Sequence, residues 1–231
     1  MITSEQIKNN LKNYLPFLNN EALEKLEAYY FLIEEENQKY NLTGFKDEKL
    51  LNEGIIESIL TFKFINENIL NLSEKEVLDI GAGAGFPTVP YLLINPTFNL
   101  TIYEALNKRV NFLNLVKEKL NLKNLEIKHI RCEESKEINK FDFITARAVA
   151  ELHVLMEISH HVAKIGATFC FLKSKNFLDE VLNSNFITKK LRANFTFFNL
   201  EKYFEKENIL VTYTKESETP QGIPRKWNQI K

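Results

Sequence analysis

Val77-Leu78-Asp79-Ile80-Gly81-Ala82-Gly83-Ala84-Gly85-Phe86-Pro87 is the stretch that decides the fold. A short apolar run meets an acid, and three glycines then alternate with small residues. This pattern reads as a first β-strand breaking into a nucleotide-binding turn. Glycine at alternate positions lets the backbone take positive φ and lets a ligand approach with no Cβ in the way. Nineteen residues after Gly85 a second run, Leu100-Thr101-Ile102-Tyr103, ends in Glu104. A carboxylate there can accept bonds from both ribose hydroxyls of an adenosine. Two strand-end acids around a glycine turn make a nucleoside site.

The spelling of the turn selects among nucleosides. The dinucleotide fingerprint is Gly-x-Gly-x-x-Gly, with a helix N-terminus facing a pyrophosphate. Here the spacing is Gly-x-Gly-x-Gly, with Asp79 two residues ahead of Gly81. A carboxylate at that place suits the sulfonium and ammonium of S-adenosylmethionine (SAM) and would repel a pyrophosphate. Any strand-to-helix turn can be glycine-rich. Asp79 before the turn and Glu104 at the next strand end set this one apart, so Asp79, Gly81, Gly83, Gly85 and Glu104 are cofactor-binding candidates.

At 231 residues the chain fits one sizeable domain with an appendage. A net charge of −1 gives no overall basic character, so only local clusters of cations could meet nucleic acid. Cys132 and Cys170 lie far apart without metal-ligand spacing and read as buried free thiols in a reducing cytoplasm. His129, His153, His160 and His161 show no metal constellation, so no metal is expected. No apolar run reaches membrane-spanning length and the N-terminus lacks a signal-peptide pattern. The expectation is a cytoplasmic monomer with no membrane contact.

Residues 1–70 read as a helical N-terminal cap and 71–231 as the SAM-binding domain. Ser4 caps a first helix through about Tyr14, with Ile7, Leu11 and Tyr14 on one face. Pro16 ends it, and Asn20 opens a second helix carrying Leu23, Leu26, Tyr30, Ile33 and Asn37 near helical spacing. Asp47 caps a third, with the stripe Leu50, Leu51, Ile55, Ile59 and Phe62. From Val77 onward short apolar strands alternate with helices. The strands are Val77–Ile80, Asn99–Tyr103, Leu125–Ile130, Asp142–Thr145 and Gly166–Leu172; the helices are Thr88–Ile94, Lys108–Leu120 and Glu151–Ala163. That alternation predicts an α/β, Rossmann-like, doubly wound and mostly parallel sheet. Phe195–Tyr203 and Asn208–Thr214 read as an antiparallel hairpin at the sheet edge. Ligands in such sheets sit beyond the carboxyl ends of the strands. Those ends are Asp79–Gly85, Glu104, Arg131-Cys132-Glu133, Thr145-Ala146-Arg147 and Lys173-Ser174-Lys175.

Several segments together carry a family resemblance. They are Asn41-Leu42-Thr43, the Asp79–Pro87 loop, Lys108-Arg109-Val110-x-Phe112-Leu113, Ala146-Arg147-Ala148, Leu172-Lys173 and the tail Thr219-Pro220…Pro224-Arg225-Lys226. The chain resembles the RsmG (GidB) family over nearly all of its length beyond the first helix. Those enzymes are class I SAM-dependent methyltransferases that modify N7 of one guanosine in bacterial 16S rRNA. The resemblance implies that Gly81 and Phe86 line the SAM pocket and that Glu104 holds the ribose. It implies that Cys132 and Glu133 contact the adenine and that Arg147 lies near both cofactor and substrate. The chain departs from the family in two places. The family's Arg-His before Ile-x-x-Asp-Ser is Glu53-Gly54 before Ile55-Ile56-Glu57-Ser58, and its Pro-Gly after the loop is Pro87-Thr88.

The chemistry agrees with such a reaction. N7 of guanine has a free lone pair and loses no proton on methylation, so holding it in line with the methyl suffices. No Asn-Pro-Pro-Tyr motif of amino-group methyltransferases follows the fourth strand, and no cysteine pair is placed to attack a pyrimidine. Arg147 can bind guanine, phosphate or the cofactor carboxylate and is the catalytic candidate; the structural alternative is an ion pair with Glu151 one turn on. Lys108 and Arg109 fit a basic helix face or a solvated one alternating with Glu118. Lys173, Lys175, Arg225 and Lys226 are candidates for phosphate contacts, as is Asn41 for RNA. The low net charge predicts a pre-folded ribonucleoprotein particle as substrate. The rival readings are a methyltransferase acting on a small molecule or a protein, a nicotinamide oxidoreductase, and a non-catalytic RNA factor. Asp79 and the glycine spacing disfavour the oxidoreductase.

Overall fold

The computed structural model describes residues 2–200 and 208–230. Helix α1 (Ser4–Tyr14) buries Ile7 and Leu11, and Thr3 caps it rather than Ser4. Thr3 Oγ1 accepts from the Gln6 N–H at 3.3 Å while Gln6 Oε1 accepts from the Thr3 N–H at 2.9 Å, a reciprocal box that Ser4 cannot make from inside the first turn. Helix α2 (Asn20–Lys39) is capped by Asn19, and its stripe Leu23, Leu26, Tyr30 and Ile33 is buried, with Tyr29 beside it.

The third expected helix is not regular. A single turn, α3 (Asp47–Lys49), runs into a π-helical segment Leu50–Ile56 and then into α4 (Glu57–Asn68). Asp47 does not cap it: its φ is +50° and its N–H donates to Glu34 Oε1 at 3.1 Å. The stripe Leu50, Leu51, Ile55, Ile59 and Phe62 is fully buried, but reaching the core takes the extra residue per turn of a π-helix. Gly54 is in the middle of that segment because a Cβ there would lie 2.8 Å from the Phe86 ring.

The strands are β1 (Glu76–Ile80), β2 (Asn99–Glu104), β3 (Leu125–His129), β4 (Phe141–Arg147), β5 (Ala163–Lys173), β6 (Thr196–Asn199) and β7 (Ile209–Thr214). They form one seven-stranded sheet in the order β3-β2-β1-β4-β5-β7-β6. The first five are parallel, and β7 pairs antiparallel to both β5 and β6, so the expected edge hairpin is present. Among the described residues its first arm runs Thr196–Asn199, and residues 201–203 of the expected arm lie outside them. Helices α5 (Thr88–Ile94) and α6 (Asn107–Lys119) cover one face, and α7 (Leu152–Ser159), α8 (Phe177–Asn183), α9 (Asn185–Leu191) and α10 (Trp227–Ile230) belong to the other. The sequence reading had no counterpart for α8, α9 or α10.

The predicted helix Glu151–Ala163 stops at Ser159. A tight turn over His160–Val162 comes next, and Ala163 already pairs with Phe141 in the sheet. The turn is drawn down by bonds from the Asn139 and Lys140 N–H groups to the His161 and Val162 carbonyls, at 3.0 and 2.8 Å. Lys215 closes this corner. Its buried ammonium donates to Asn139 Oδ1, the His160 and Ala163 carbonyls and Thr219 Oγ1 within 3.2 Å.

Side chains alternate along the strands, so the sheet sorts its residues into two cores. Leu78, Ile80, Ile144 and Phe171 face α7 and α9, whereas Val77, Phe143 and Cys170 face the opposite layer. That layer is continuous across residue 70: Tyr29, Ile33, Phe62 and Ile59 share one buried cluster with Val89, Leu92, Phe112 and Leu113. Asp79 has the parity of Val77 and so points toward the cap.

The glycine turn is where the cap and sheet meet. The Tyr29 hydroxyl donates to the Ala84 carbonyl at 2.5 Å. Gly85 has φ +102°, and a Cβ there would lie 2.7 Å from Tyr29 Oη and 2.8 Å from Val89 Cγ2. Gly85→Ala should therefore lower stability by roughly 2–4 kcal/mol, because backbone strain and overpacking add. Gly222→Ala, also at positive φ but with nothing within 4 Å, should lose only about 1 kcal/mol. Urea melts of both variants test this; equal losses would show that Tyr29 does not seat on the turn.

Candidate cofactor and substrate site

Two clefts open at the carboxyl ends of the parallel strands. The first, about 270 Å³, is lined by Glu104 and Leu106 after β2, Arg131, Cys132 and Glu133 after β3, and Trp227 from the tail. The second, about 230 Å³, lies between the glycine turn, the loop Leu42–Phe45, Phe86 and Arg147. Gly81, Arg109 and Ala148 belong to both and form the saddle between them. Ala148 is held at φ +56°, a conformation a residue with a Cβ adopts only when its surroundings impose it. Gly81 is required because Val149 closes over it, 2.8 Å from where a Cβ would stand.

Glu104 is nearly inaccessible, and its two oxygens join the glycine turn to the loop after β2. Oε2 accepts from the Gly83 N–H at 3.1 Å and Oε1 from the Leu106 N–H at 3.0 Å. A carboxylate has about four acceptor sites, so capacity remains for a ribose diol. Glu133 Oε1 is buried without a hydrogen-bond partner among the described residues, an acceptor waiting for a donor such as the adenine amino group. Leu106 and Val149 are exposed apolar side chains on the same cleft, suited to the faces of a purine. The residues present therefore fit the nucleoside end of SAM. Burial pushes the Cys132 thiol well up, with Glu133 adding to the shift, so it is a wall and not a nucleophile.

Asp79 is placed differently from the other cofactor candidates. It is fully buried, lines neither cleft, and accepts from Thr88 Oγ1 at 2.6 Å, while Oδ1 has no partner among the described residues. It lies beneath the turn on the cap side and ties it to the start of α5. Thr88, which stands where the family has glycine, supplies its partner. Burial raises the Asp79 pKa to about 8 and Glu104 adds to the rise, against the Thr88 bonds and Arg147. Gly85 also lies beneath the turn, against Tyr29 and Val89, and not on a cleft.

Arg147 reaches the second cleft but does not pair with Glu151. Its Nη2 donates to Glu57 Oε2 at 2.8 Å and to the Glu53 carbonyl at 3.0 Å, and Nη1 to Ser58 Oγ at 3.4 Å. These contacts use three of its five N–H groups. The π segment presents the Glu53 carbonyl, and the Glu53 carboxylate adds its charge to that of Glu57 in favouring the guanidinium. The guanidinium also stands 5.6 Å over the Phe45 ring. Glu57, Phe45 and Trp227 were not identified from the sequence; Glu57 had a signal, since Glu57-Ser58 stands where the family has Asp-Ser.

The RNA candidates divide. Asn41, Lys108, Lys175 and Lys226 are exposed and Arg109 is partly so. Lys173 is not available: it is buried, 2.6 Å from Glu180 Oε2 and 2.8 Å from the Ala150 carbonyl. Arg225 is bound to Glu157 through Nε and Nη2, both at 2.7 Å. A strand-end lysine and a tail arginine read as free cations until their acids, Glu180 and the buried Glu157, are placed in space.

The chain superposes on a SAM-dependent methyltransferase from Aquifex aeolicus with TM-score 0.57 and 23% identity, covering 73% of this chain and 96% of that one. It superposes on the tRNA (m1A58) methyltransferase TrmI from Aquifex aeolicus with TM-score 0.56 and 18% identity, covering 76% and 74%. These likenesses, with the seven-stranded sheet order, define the fold as that of the class I methyltransferases. The family model for GidB, rRNA small subunit methyltransferase G, matches residues 22–208. Proteins named ribosomal RNA small subunit methyltransferase G are 41% identical in Mycoplasmopsis pulmonis, over 89% of this chain and 90% of that protein, and 36% identical in Malacoplasma penetrans, over 96% and 97%. The chain belongs to the rRNA small subunit methyltransferase G family.

The raised Asp79 gives a pH test in the absence of cofactor. A carboxyl whose folded pKa lies near 8 keeps its proton in the native state while the unfolded chain has lost it, so stability falls as pH rises from about 4 through about 8. Asp79→Asn should flatten that fall in thermal melts across the range. An unchanged pH slope would place the ionised form in the folded protein.

Proposed function

We propose that this chain transfers the methyl group of SAM to N7 of a guanosine in 16S rRNA, acting in the cytoplasm as a monomer on a small-subunit ribonucleoprotein particle. The observation that carries the reading is the saddle at Gly81 and Ala148, which joins a cleft of nucleoside-binding character to a second cleft floored by Phe86 and Arg147. Glu104, Glu133, Leu106 and Val149 hold the adenosine end, with Cys132 as wall. SAM supplies an electrophilic methyl at a sulfonium centre. Arg147 and the loop Leu42–Phe45 hold and orient the base so that N7 faces the saddle. N7 carries a lone pair and no proton, so positioning and exclusion of water are the whole task of the protein. The raised thiol of Cys132 gives no covalent route, consistent with direct transfer.

Cations surround the second cleft. Lys49 lies 5.8 Å over Phe45 and Lys108 5.8 Å over Tyr40, and both are exposed. With Arg109 they offer phosphate contacts that position RNA without reading its sequence. So small a basic surface on a chain of net charge −1 supports a substrate whose shape is already set by ribosomal proteins.

Small subunits from a strain lacking the gene, incubated with purified protein and methyl-labelled SAM, should acquire label at one guanosine that cleaves as 7-methylguanosine. Equal labelling of protein-free rRNA would overturn the particle as substrate, and absence of label in either would overturn the rRNA reading. Arg147→Lys keeps a cation opposite Glu57 but loses the planar fork, so methyl transfer should drop by about a hundred-fold or more with the fold retained. Arg147→Ala should in addition lose about 3–5 kcal/mol of stability, since Glu57 is left buried without its cation. Wild-type turnover of the lysine variant would remove Arg147 from the reaction.

A further inference from the structure

The tail after β7 has a role that phosphate contacts do not explain. It is fastened at two points. Thr219 Oγ1 bonds the His160 ring at Nδ1, 2.8 Å, and the buried Lys215 ammonium at 3.2 Å. Six residues on, Arg225 makes three bonds to Glu157, from its backbone N–H at 3.1 Å and from Nε and Nη2. Glu157 is itself buried on α7; burial alone would raise its pKa, and the bonds from Arg225 reverse the shift and lower it. Such a buried, many-bonded carboxylate is a costly anchor for a tail whose only task is to touch RNA.

The anchor sets the position of the last helix. Trp227 opens α10, and Ile230 at its other end is buried in the core beneath α7. The Trp227 ring packs on that core and also lines the first cleft, together with Arg131, Cys132, Glu133 and Ile158. The Arg131 guanidinium stands 5.3 Å over the indole, a cation–π contact that holds the ring from the β3 side. The same cleft holds the unpartnered Glu133 Oε1 and the exposed Leu106. An aromatic plane, an apolar side chain and an unmet acceptor around one space match the faces and amino edge of adenine.

We propose that the tail is the outer wall of the adenine subsite, and that Trp227, held by Arg225–Glu157 and by Arg131, packs against the adenine of the bound cofactor. This rests on the reading of the first cleft as the SAM site. Arg225 is then a positioning residue whose effect on binding passes through Trp227.

Trp227 is the single tryptophan of the chain, so its emission reports this position alone. Titration of the wild-type protein with SAM should change that emission along the same isotherm as calorimetry, and should shield the indole from iodide quenching. Adenosine should reproduce the change and free methionine should not. Trp227→Ala should weaken SAM about ten-fold, in line with aromatic–base stacking of about 1–3 kcal/mol. Arg225→Ala should weaken SAM several-fold, with the emission change reduced. If calorimetry shows SAM bound while emission and quenching stay unchanged, and Trp227→Ala binds as tightly as wild type, the tail is not part of the subsite. If calorimetry shows no binding of SAM at all, the assignment of the first cleft fails instead.

Discussion

The hydroxyl of Tyr29 on the carbonyl of Ala84 is the contact on which the site depends. A turn with positive φ at Gly81, Gly83 and Gly85 has little side chain of its own to hold it. Its shape is imposed from the cap side, where α2 presses Tyr29 onto the backbone and Asp79 ties the turn to Thr88 at the start of α5. Burial raises the Tyr29 pKa, with Asp79 reinforcing the shift, so the hydroxyl stays a donor. The N-terminal helices are therefore a structural part of the cofactor turn, and their core is continuous with one face of the sheet.

A second tie from the same cap runs to the opposite rim. Arg147 leaves the end of β4 and is taken up by Glu53, Glu57 and Ser58. Glu57 also accepts from the Asn208 side chain at the start of β7. One buried carboxylate thus gathers the cap, the central strand and the edge hairpin. The π segment is the geometric condition for this, since it turns a backbone carbonyl toward the guanidinium while Gly54 leaves room for Phe86.

Much of this was legible in the sequence because it rests on local rules. Solid apolar strands alternating with helical periods gave the sheet, and the Asp79–Pro87 spelling gave the turn and the cofactor. What was not legible depends on pairs far apart in the chain. Nothing near Lys173 or Arg225 announces Glu180 or Glu157, and both cations looked unpaired. Strand parity says which face Asp79 takes but not that Tyr29 and Thr88 stand beside it there. The irregular third helix was hidden because its apolar stripe fits an ordinary helix nearly as well as a π one. Trp227 lies in a tail with no periodicity, and only its spatial neighbours reveal its place.

The buried Asp79 bears on the charge balance of the site. An acid with a pKa near 8 is mostly protonated at neutral pH, so the turn rests on a proton store and not on a fixed negative charge. In that form the carboxyl is a neutral prop under the glycine turn, and cap and sheet close over it without burying an uncompensated charge.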